Sequence, residues 1–249
     1  IGVVLLSIYF VRLEKYVSFH AEQWQPRPDV WRRMLKIGLP AGGEFALIFV
    51  YVAITYWVIR DFGAEAQAGF GIGSRVMQGI FVPALAIAFA AAPVAGQNFG
   101  AKQPERVRET FRMAAIMCGA VMLLLTLVCQ VWPQALIGVF SNGAEVTSVG
   151  VMFLTIISWN FVLAGINMTC SSMFQALGNT VPALWSSATR IITYALPAIW
   201  LSLQPGFRLE HVWYLNVGTV LLQTLVSVAL LKREMRIRLW AITEPRTSG

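Results

Sequence analysis

Two long stretches of this chain contain no charged residue, and they limit its possible folds more than any other feature. Residues 113–144 and 146–189 carry no Asp, Glu, Lys or Arg. A run of about 18 apolar residues indicates a membrane-spanning helix, because ~20 residues rising ~1.5 Å each cross the ~30 Å hydrocarbon core of a bilayer. Only 12% of the residues are charged and 57% are hydrophobic, whereas soluble domains carry roughly 25% charged residues. The sequence therefore predicts an all-α, polytopic membrane protein.

Apolar segments separated by connectors rich in Gly, Pro and Asn predict six complete transmembrane helices and one partial helix. The complete spans are expected at 36–59, 69–96, 111–132, 147–175, 181–203 and 211–231. The partial span covers 1–18 and begins without a start methionine, which indicates a chain that starts inside a helix rather than at a signal peptide. Because no connector is long enough for a soluble domain, the spans are expected to form one helical unit.

The basic residues predict the orientation of this unit, since Lys and Arg concentrate in cytoplasmic loops. Of the Lys and Arg residues in the connectors, the tail and the ends of the spans, fifteen fall on one side of the predicted membrane and only Arg60 and Arg208 on the other. The fifteen lie around the first connector, in the third connector and in the C-terminal tail. The C-terminus is therefore expected to be cytoplasmic, in a protein of the inner (plasma) membrane. The same distribution argues against nucleic acid as a partner and for the lipid bilayer.

Three charged residues remain at membrane depth: Glu44, Arg75 and Arg190. A charge in hydrocarbon is costly, so each is a candidate functional residue with a partner to identify. Glu44 and Arg190 both lie ~12–13 Å into their helices from the cytoplasmic side, by the rise of an α-helix. We expect them to pair, directly or through water. The pair could take part in ion coupling, or it could only hold two helices together.

Arg75 lies nearer the outer end of its span and is expected to have a structural role. Its long side chain could extend outward to the membrane surface or pair with Asp61 or Glu65. Pro83 and Pro197 lie well inside spans, where each removes a backbone hydrogen bond and disturbs its helix.

Polar residues recur at helical spacing along two spans. One stripe contains Asn160, Asn167 and Ser171, and a second contains Ser186, Arg190, Thr193 and Pro197. Such stripes can line a cavity or form hydrogen bonds between helices. Two facing stripes favour a cavity for a small-molecule substrate, and we expect its coupling-ion or substrate residues to be Glu44, Tyr51, Asn160, Asn167 and Arg190.

Signals for catalysis are absent from the sequence. The two histidines lie at span edges and no His, Cys and acid cluster suggests a metal site, nor does a phosphate-binding Gly-Lys-Ser/Thr sequence occur. Cys118, Cys129 and Cys170 have no paired spacing and are expected to be reduced and buried. We therefore expect neither an enzyme nor a cofactor.

Four segments together resemble the C-terminal lobe of the multidrug and toxic compound extrusion (MATE) family: KIGLPA at 36–41, AGFGIGSR at 68–75, PVAGQNFGA at 93–101 and FQALGNT at 174–180. The resemblance implies one lobe of a twelve-helix antiporter that exports organic cations or other amphipathic compounds in exchange for sodium ions or protons. Residues 1–20 would be the last helix of a missing N-terminal lobe, 30–232 the C-terminal six-helix lobe, and 233–249 a cytoplasmic tail. The missing lobe would then be a partner within the same chain.

One position departs from the family pattern. Many members carry an acid eight residues after the Leu-Pro of the first motif, where this chain has Ile48. Glu44 lies one turn earlier, on the same helical face as Ile48 and Tyr51. Glu44 could replace the usual acid, or the coupling acid could lie in the missing lobe. Two other functions stay open: a flippase for lipid-linked saccharides, and a membrane scaffold that transports nothing.

Overall fold

The structure, a computed structural model, describes Val4, Ser7, Ile8 and residues 27–141 and 143–243. The chain divides into two compact units, residues 1–36 and 37–249. In the first unit, Val4, Ser7, Ile8 and the residues from Pro28 are helical. The rest of the partial span predicted at 1–18, and most of the helix predicted at 1–20, lies outside the described residues.

The described residues form eight α-helices and no β-strand. Helix α1 runs over Pro28–Ile59, α2 over Ala64–Gly100, α3 over Pro104–Val131, α4 over Pro133–Gly138, α5 over Ala144–Ile157, α6 over Phe161–Ala176, α7 over Val181–Ser202 and α8 over Leu209–Thr243. Short 3₁₀ turns at Arg60–Phe62 and Ser158–Asn160 follow α1 and α5.

Local sequence accounts for several helix ends. Proline opens α3, at Pro104, where a missing N–H costs nothing, and Glu105 in the same turn stabilises the positive end of the helix dipole. Helix α6 ends in a Schellman turn: the Asn179 N–H donates to the Phe174 carbonyl and the Gly178 N–H to the Gln175 carbonyl. Gly178 adopts a φ of +72°, which a residue without Cβ tolerates best.

Five described helical segments are long and apolar enough to cross a membrane: Pro28–Phe62, Ala64–Gly100, Pro104–Val131, Ala144–Ala176 and Leu209–Trp240. The remaining predicted span, 181–203, forms as α7, whose 22 residues extend ~33 Å at the helical rise. Helix α7 is not among the five because serine, threonine and Arg190 make it less apolar. The predicted all-α membrane bundle is confirmed.

The span expected at 147–175 is not one continuous helix. It is broken into α5 and α6 by the 3₁₀ turn Ser158–Asn160. Two side chains of α3 bind the backbone at this point: Gln130 Nε2 donates to the Thr155 carbonyl at 2.8 Å, and Thr126 Oγ1 to the Ser158 carbonyl at 3.0 Å. These bonds offer the carbonyls partners outside their own helix. A break without proline or glycine follows from contacts between helices, which periodicity within one span does not reveal.

Close contacts between helices hold the unit from residue 37 onward. Helix α2 packs against α3, α5 and α6, while α8 packs against α5, α6 and α7. Phe70, Phe153 and Trp213 stack at the centre of the larger core, with ring centroids 4.8–5.5 Å apart. The three cysteines are free and buried, as the sequence predicts.

Large apolar side chains cover much of the outer surface. Phe49 is 76% exposed, Leu196 67% and Leu124 61%. Soluble monomers rarely expose extended apolar patches, so this surface suits contact with lipid chains.

Candidate functional site

A cavity of about 470 Å³ lies between α1, α2, α5, α6, α7 and α8. All five residues that the sequence nominates for a cavity line it: Glu44, Tyr51, Asn160, Asn167 and Arg190. Among the described residues, Glu44 and Arg190 are the only charged ones that do so. The remaining wall is mainly apolar, so both charges lie in a medium where electrostatic interactions are strong.

Glu44 is half-buried on α1 and is held by hydroxyl groups from two other helices. Ser171 Oγ on α6 donates to Glu44 Oε2 at 2.7 Å. Ser187 Oγ on α7 lies 3.5 Å from Glu44 Oε1, at the limit of a weak hydrogen bond. Neutral donors support a carboxylate without cancelling its charge, so an ionised Glu44 offers a negative charge to a ligand.

Arg190 faces a different part of the cavity. Its guanidinium carbon lies 4.6 Å from the centre of the Tyr51 ring, within the range of a cation–π contact. The Arg190 Nε is buried and has no hydrogen-bond partner in the described part of the chain. The ring face accommodates the positive charge but does not neutralise it.

Glu44 and Arg190 do not form a direct ion pair. The four ion pairs between described residues include neither of them. Glu44 is held at the level of Ser187, whereas the Arg190 guanidinium reaches Tyr51, seven residues or ~10 Å further along α1. The two backbones enter the membrane to similar depth, but their side chains contact different partners. A direct Glu44–Arg190 pair is therefore wrong for this conformation.

A chain of polar side chains crosses the cavity wall beside Tyr51. Asn160 Nδ2 donates to Asn216 Oδ1 at 3.0 Å, and Asn216 Nδ2 donates in turn to the Tyr51 hydroxyl. Asn160 is the last residue of the 3₁₀ turn that breaks the span between α5 and α6. The break therefore places its amide against α8 and the cavity.

Asn167 occupies the next part of the wall. Its Nδ2 donates to Thr224 Oγ1 on α8 at 2.9 Å, while its Oδ1 is buried without a partner among the described residues. Asn160 Oδ1 is likewise buried without a hydrogen-bond partner among the described residues. Buried polar atoms are normally paired, so these oxygens are acceptors that a ligand or water can use.

Of the polar stripe predicted on α7, only Arg190 lines the cavity. Ser186 faces α8, where its hydroxyl bonds to Ser227 and to the Gln223 carbonyl. Thr193 donates only within its own helix, to the Thr189 and Arg190 carbonyls. Ser187 lines the cavity instead, one residue away from the predicted register.

The three residues expected to be structural lie outside the cavity lining. Arg75 is exposed on α2, and no ion pair between described residues includes it; Asp61 pairs with Arg60 at 3.4 Å instead. Pro83 and Pro197 do not end their helices, since α2 continues to Gly100 and α7 to Ser202.

Sequence reasoning missed the contribution of α8. Asn216 and Gln223 line the cavity from this helix. The signal was present: Asn216, Thr219, Gln223 and Ser227 recur at helical spacing, and each is less than 9% exposed. Such a stripe on a long apolar helix indicates the face that packs inward.

The site has the means to bind a small molecule. No group of three or more His, Cys, Asp or Glu side chains that could hold a metal occurs in the described ranges. What converges is one carboxylate, one guanidinium, several amides and an apolar wall. Pockets that bind small molecules combine an apolar wall with a few placed polar groups in this way.

Comparison with known proteins identifies the family. The model of the MatE family matches residues 40–200. The "Probable multidrug resistance protein YpnP" of Bacillus subtilis (strain 168) is 28% identical over 82% of this chain and 47% of its own length. The "Multidrug export protein MepA" of Staphylococcus haemolyticus (strain JCSC1435) is 22% identical over 69% of this chain and 38% of its own length.

Solved structures show the same fold. One, described as an outward-facing conformation of a multidrug resistance MATE family transporter of the MOP superfamily, superposes with a TM-score of 0.85 at 19% identity. The match covers 97% of this chain and 54% of that one. The chain thus spans about half the length, or less, of the relatives it matches, a share that fits the single C-terminal lobe expected from the sequence. This multi-pass membrane chain belongs to the MATE family.

Proposed function

We propose that this chain is the C-terminal lobe of a secondary active antiporter that exports organic cations or other amphipathic compounds. The observation that carries the proposal is the cavity at membrane depth, with Glu44 as its single acid among the described lining residues. A carboxylate held by neutral hydroxyls is free to bind either a cationic substrate or a coupling ion. Alternating occupancy of one acid is a simple basis for exchange.

The coupling ion in this proposal is a sodium ion or a proton. Both neutralise a carboxylate, and either would compete with a cationic substrate for Glu44. The bilayer and the small-molecule substrate are its partners, as is a second lobe that completes the cavity. Phe45 and Ile48 line the cavity and are 52% and 50% exposed, which leaves apolar surface for that lobe to cover. Transporters commonly bind their substrates between two such repeats.

We further propose that the protein lies in the inner (plasma) membrane with its C-terminus in the cytoplasm. The basic residues support this orientation, since Lys232, Arg233 and Arg236 are exposed on the last turns of α8. Helix α8 has 35 residues, or ~52 Å at the helical rise, so it extends beyond a ~30 Å hydrocarbon core.

One observation favours a second function. Arg190 has a buried Nε without a partner, and a flippase for lipid-linked saccharides would use such a cation to bind phosphate. Against this alternative, Glu44 lines the same cavity and would repel a phosphate. A membrane scaffold that transports nothing would not account for the unpaired polar atoms around the cavity.

The test is dye transport by the full-length protein in everted membrane vesicles. We expect uptake of the cationic dye rhodamine 123 only when a proton or sodium gradient is imposed. Glu44→Gln should abolish this dependence, whereas Glu145→Gln, which removes an exposed acid outside the cavity, should preserve it. Uptake that is absent in the unmodified protein with either gradient would refute the antiporter proposal.

A further inference from the structure

We propose that the cavity selects compounds that carry a carboxylate in addition to a cationic group, with Arg190 binding the carboxylate and Glu44 the cation. This inference rests on the proposed exporter function and names the class of compound that the same cavity binds. It depends on the separation of the two charges, which the sequence did not predict.

The first step is that each charge is left without a counter-charge. Neither Glu44 nor Arg190 takes part in an ion pair between described residues. Glu44 contacts two serine hydroxyls and Arg190 contacts the Tyr51 ring, all of them neutral. Charges in an apolar cavity are costly unless they are paired, so a ligand that supplies both counter-charges is favoured.

The second step is the chemistry at the Arg190 end. The Nε is buried and has no acceptor, although a guanidinium can donate from five N–H groups. The guanidinium carbon lies 4.6 Å from the centre of the Tyr51 ring, a contact that supplies no negative charge to Arg190. A planar guanidinium edge matches the two oxygens of a carboxylate.

The third step is the chemistry at the Glu44 end. Ser171, which donates to Glu44, follows Asn167 by one helical turn on the same face of α6. The Asn167 Oδ1 is buried without a partner in the described chain. A carboxylate and an amide oxygen on this side of the cavity are both acceptors, and they suit the N–H groups of a cationic amine or imine.

Ligands with a single charge satisfy this cavity less well than a zwitterion does. A compound with only a positive charge would pair with Glu44 but leave Arg190 unpaired and repelled. A compound with only a negative charge would do the reverse. Glu44 and Arg190 contact different neutral groups, since Glu44 lies against Ser171 and Ser187 and Arg190 lies against the Tyr51 ring. A zwitterion of drug-like size satisfies both.

The experiment measures binding of two dyes that differ at one group. Rhodamine 110 carries a free carboxylate, and rhodamine 123 is its methyl ester. Fluorescence anisotropy gives the Kd of each dye for the purified full-length protein. We expect Arg190→Gln to weaken rhodamine 110 by about tenfold or more, the loss expected for a charge-assisted hydrogen bond. Rhodamine 123 should be weakened much less, or bind more tightly.

Two further variants control the result. Arg75→Gln removes an exposed arginine outside the cavity lining and should change both affinities by the same factor. Arg190→Lys keeps the positive charge but loses the planar edge, so it should also weaken rhodamine 110 more than rhodamine 123. If gel filtration shows that Arg190→Gln does not fold, the comparison of the two dyes is made with Arg190→Lys instead.

Equal effects of the Arg190 variants on both dyes, or no effect on rhodamine 110, would overturn the inference. The assay needs no ion gradient, so it separates this inference from the proposed function. If the Arg190 variants affect the two dyes differently but no gradient-driven uptake occurs, export is refuted and the carboxylate site is supported. Uptake without discrimination would refute the carboxylate site and keep export.

Discussion

Gly73 shows how far a single residue determines the packing of this bundle. It lies on α2 where that helix meets α5, and a Cβ at this position would lie 2.3 Å from Phe153 Cδ1. The Phe153 ring cannot move aside easily, because it is 2% exposed and packs against Phe70 and Trp213. The pairing of α2 with α5 therefore requires glycine here.

We expect Gly73→Ala to lower the free energy of unfolding by about 1–3 kcal/mol, the usual cost of overpacking a core. Gly79→Ala is the matched control: it lies two turns further along α2, where a Cβ would have no neighbour within 4 Å. The control should be neutral or stabilising by up to about 1 kcal/mol, since alanine favours helix over glycine. Thermal unfolding in detergent, followed by tryptophan fluorescence, measures both. An unaffected Gly73→Ala would contradict the contact.

At the scale of single residues, the five residues predicted for a cavity line it, but the contacts of Glu44 and Arg190 and the lining residues of α8 were not predicted. The free-energy cost of a charged side chain in hydrocarbon identifies Glu44 and Arg190 as candidate functional residues. Their helical spacing identifies Asn160 and Asn167 as candidates too. The partners of these residues depend on rotation and translation between helices. The sequence gives no measure of either, which is why the Glu44–Arg190 pair was expected and Ser171 was not identified as the donor to Glu44.

Among the elements, the 3₁₀ turn between α5 and α6 has the clearest bearing on the site. It is held from outside by Gln130, whose Nε2 donates to the Thr155 carbonyl and to Ser158 Oγ, both at 2.8 Å. The turn in turn orients Asn160 toward Asn216. A 3₁₀ segment within a long helix often marks a hinge, so this turn is a candidate point of bending in transport.

Gln130→Leu should remove both bonds and leave the Thr155 carbonyl without that donor. We expect a loss of about 1–3 kcal/mol in the free energy of unfolding, since two hydrogen bonds at about 0.5–1.5 kcal/mol each are lost while Ser158 Oγ still donates to the Thr155 carbonyl. Affinity for rhodamine 123 should also fall, because Asn160 is displaced from the cavity wall. Thr110→Ala on the same helix removes an exposed hydroxyl that bonds within α3 and should change neither quantity. A Gln130→Leu protein with unchanged stability and affinity would show that the turn does not depend on α3.

At the scale of elements, the sequence predicted where the membrane spans lie but did not predict that one of them is broken. Long apolar runs locate all six spans to within several residues at most ends, apart from α8, which continues well past 231 to Thr243. The short helix α4 and the 3₁₀ break were missed. The 3₁₀ break depends on contacts with α3 rather than on local composition.

For the molecule as a whole, orientation in the membrane is the next property to establish. Gln103 is exposed between α2 and α3, and Gln204 is exposed between α7 and α8. The distribution of Lys and Arg predicts that Gln103 is cytoplasmic and Gln204 external. The native cysteines are buried, so they should react little with a polar reagent.

Single cysteines at these positions test the orientation. A membrane-impermeant maleimide added to intact cells should label Gln204→Cys and not Gln103→Cys, and everted vesicles should give the opposite pattern. Labelling of Gln103→Cys in intact cells would contradict the proposed orientation and place the C-terminus outside.

The central claim is that substrate and coupling ion compete for Glu44. If they do, each must weaken the binding of the other by the same factor, since linkage between binding sites is reciprocal. The most direct measurement is the Kd of rhodamine 123 for the purified full-length protein, titrated with sodium at fixed pH and with protons at fixed sodium. We predict that the Kd rises with one of these ions in the unmodified protein and is independent of both in Glu44→Gln. An ion dependence that survives intact in Glu44→Gln would contradict the claim and locate the coupling acid elsewhere.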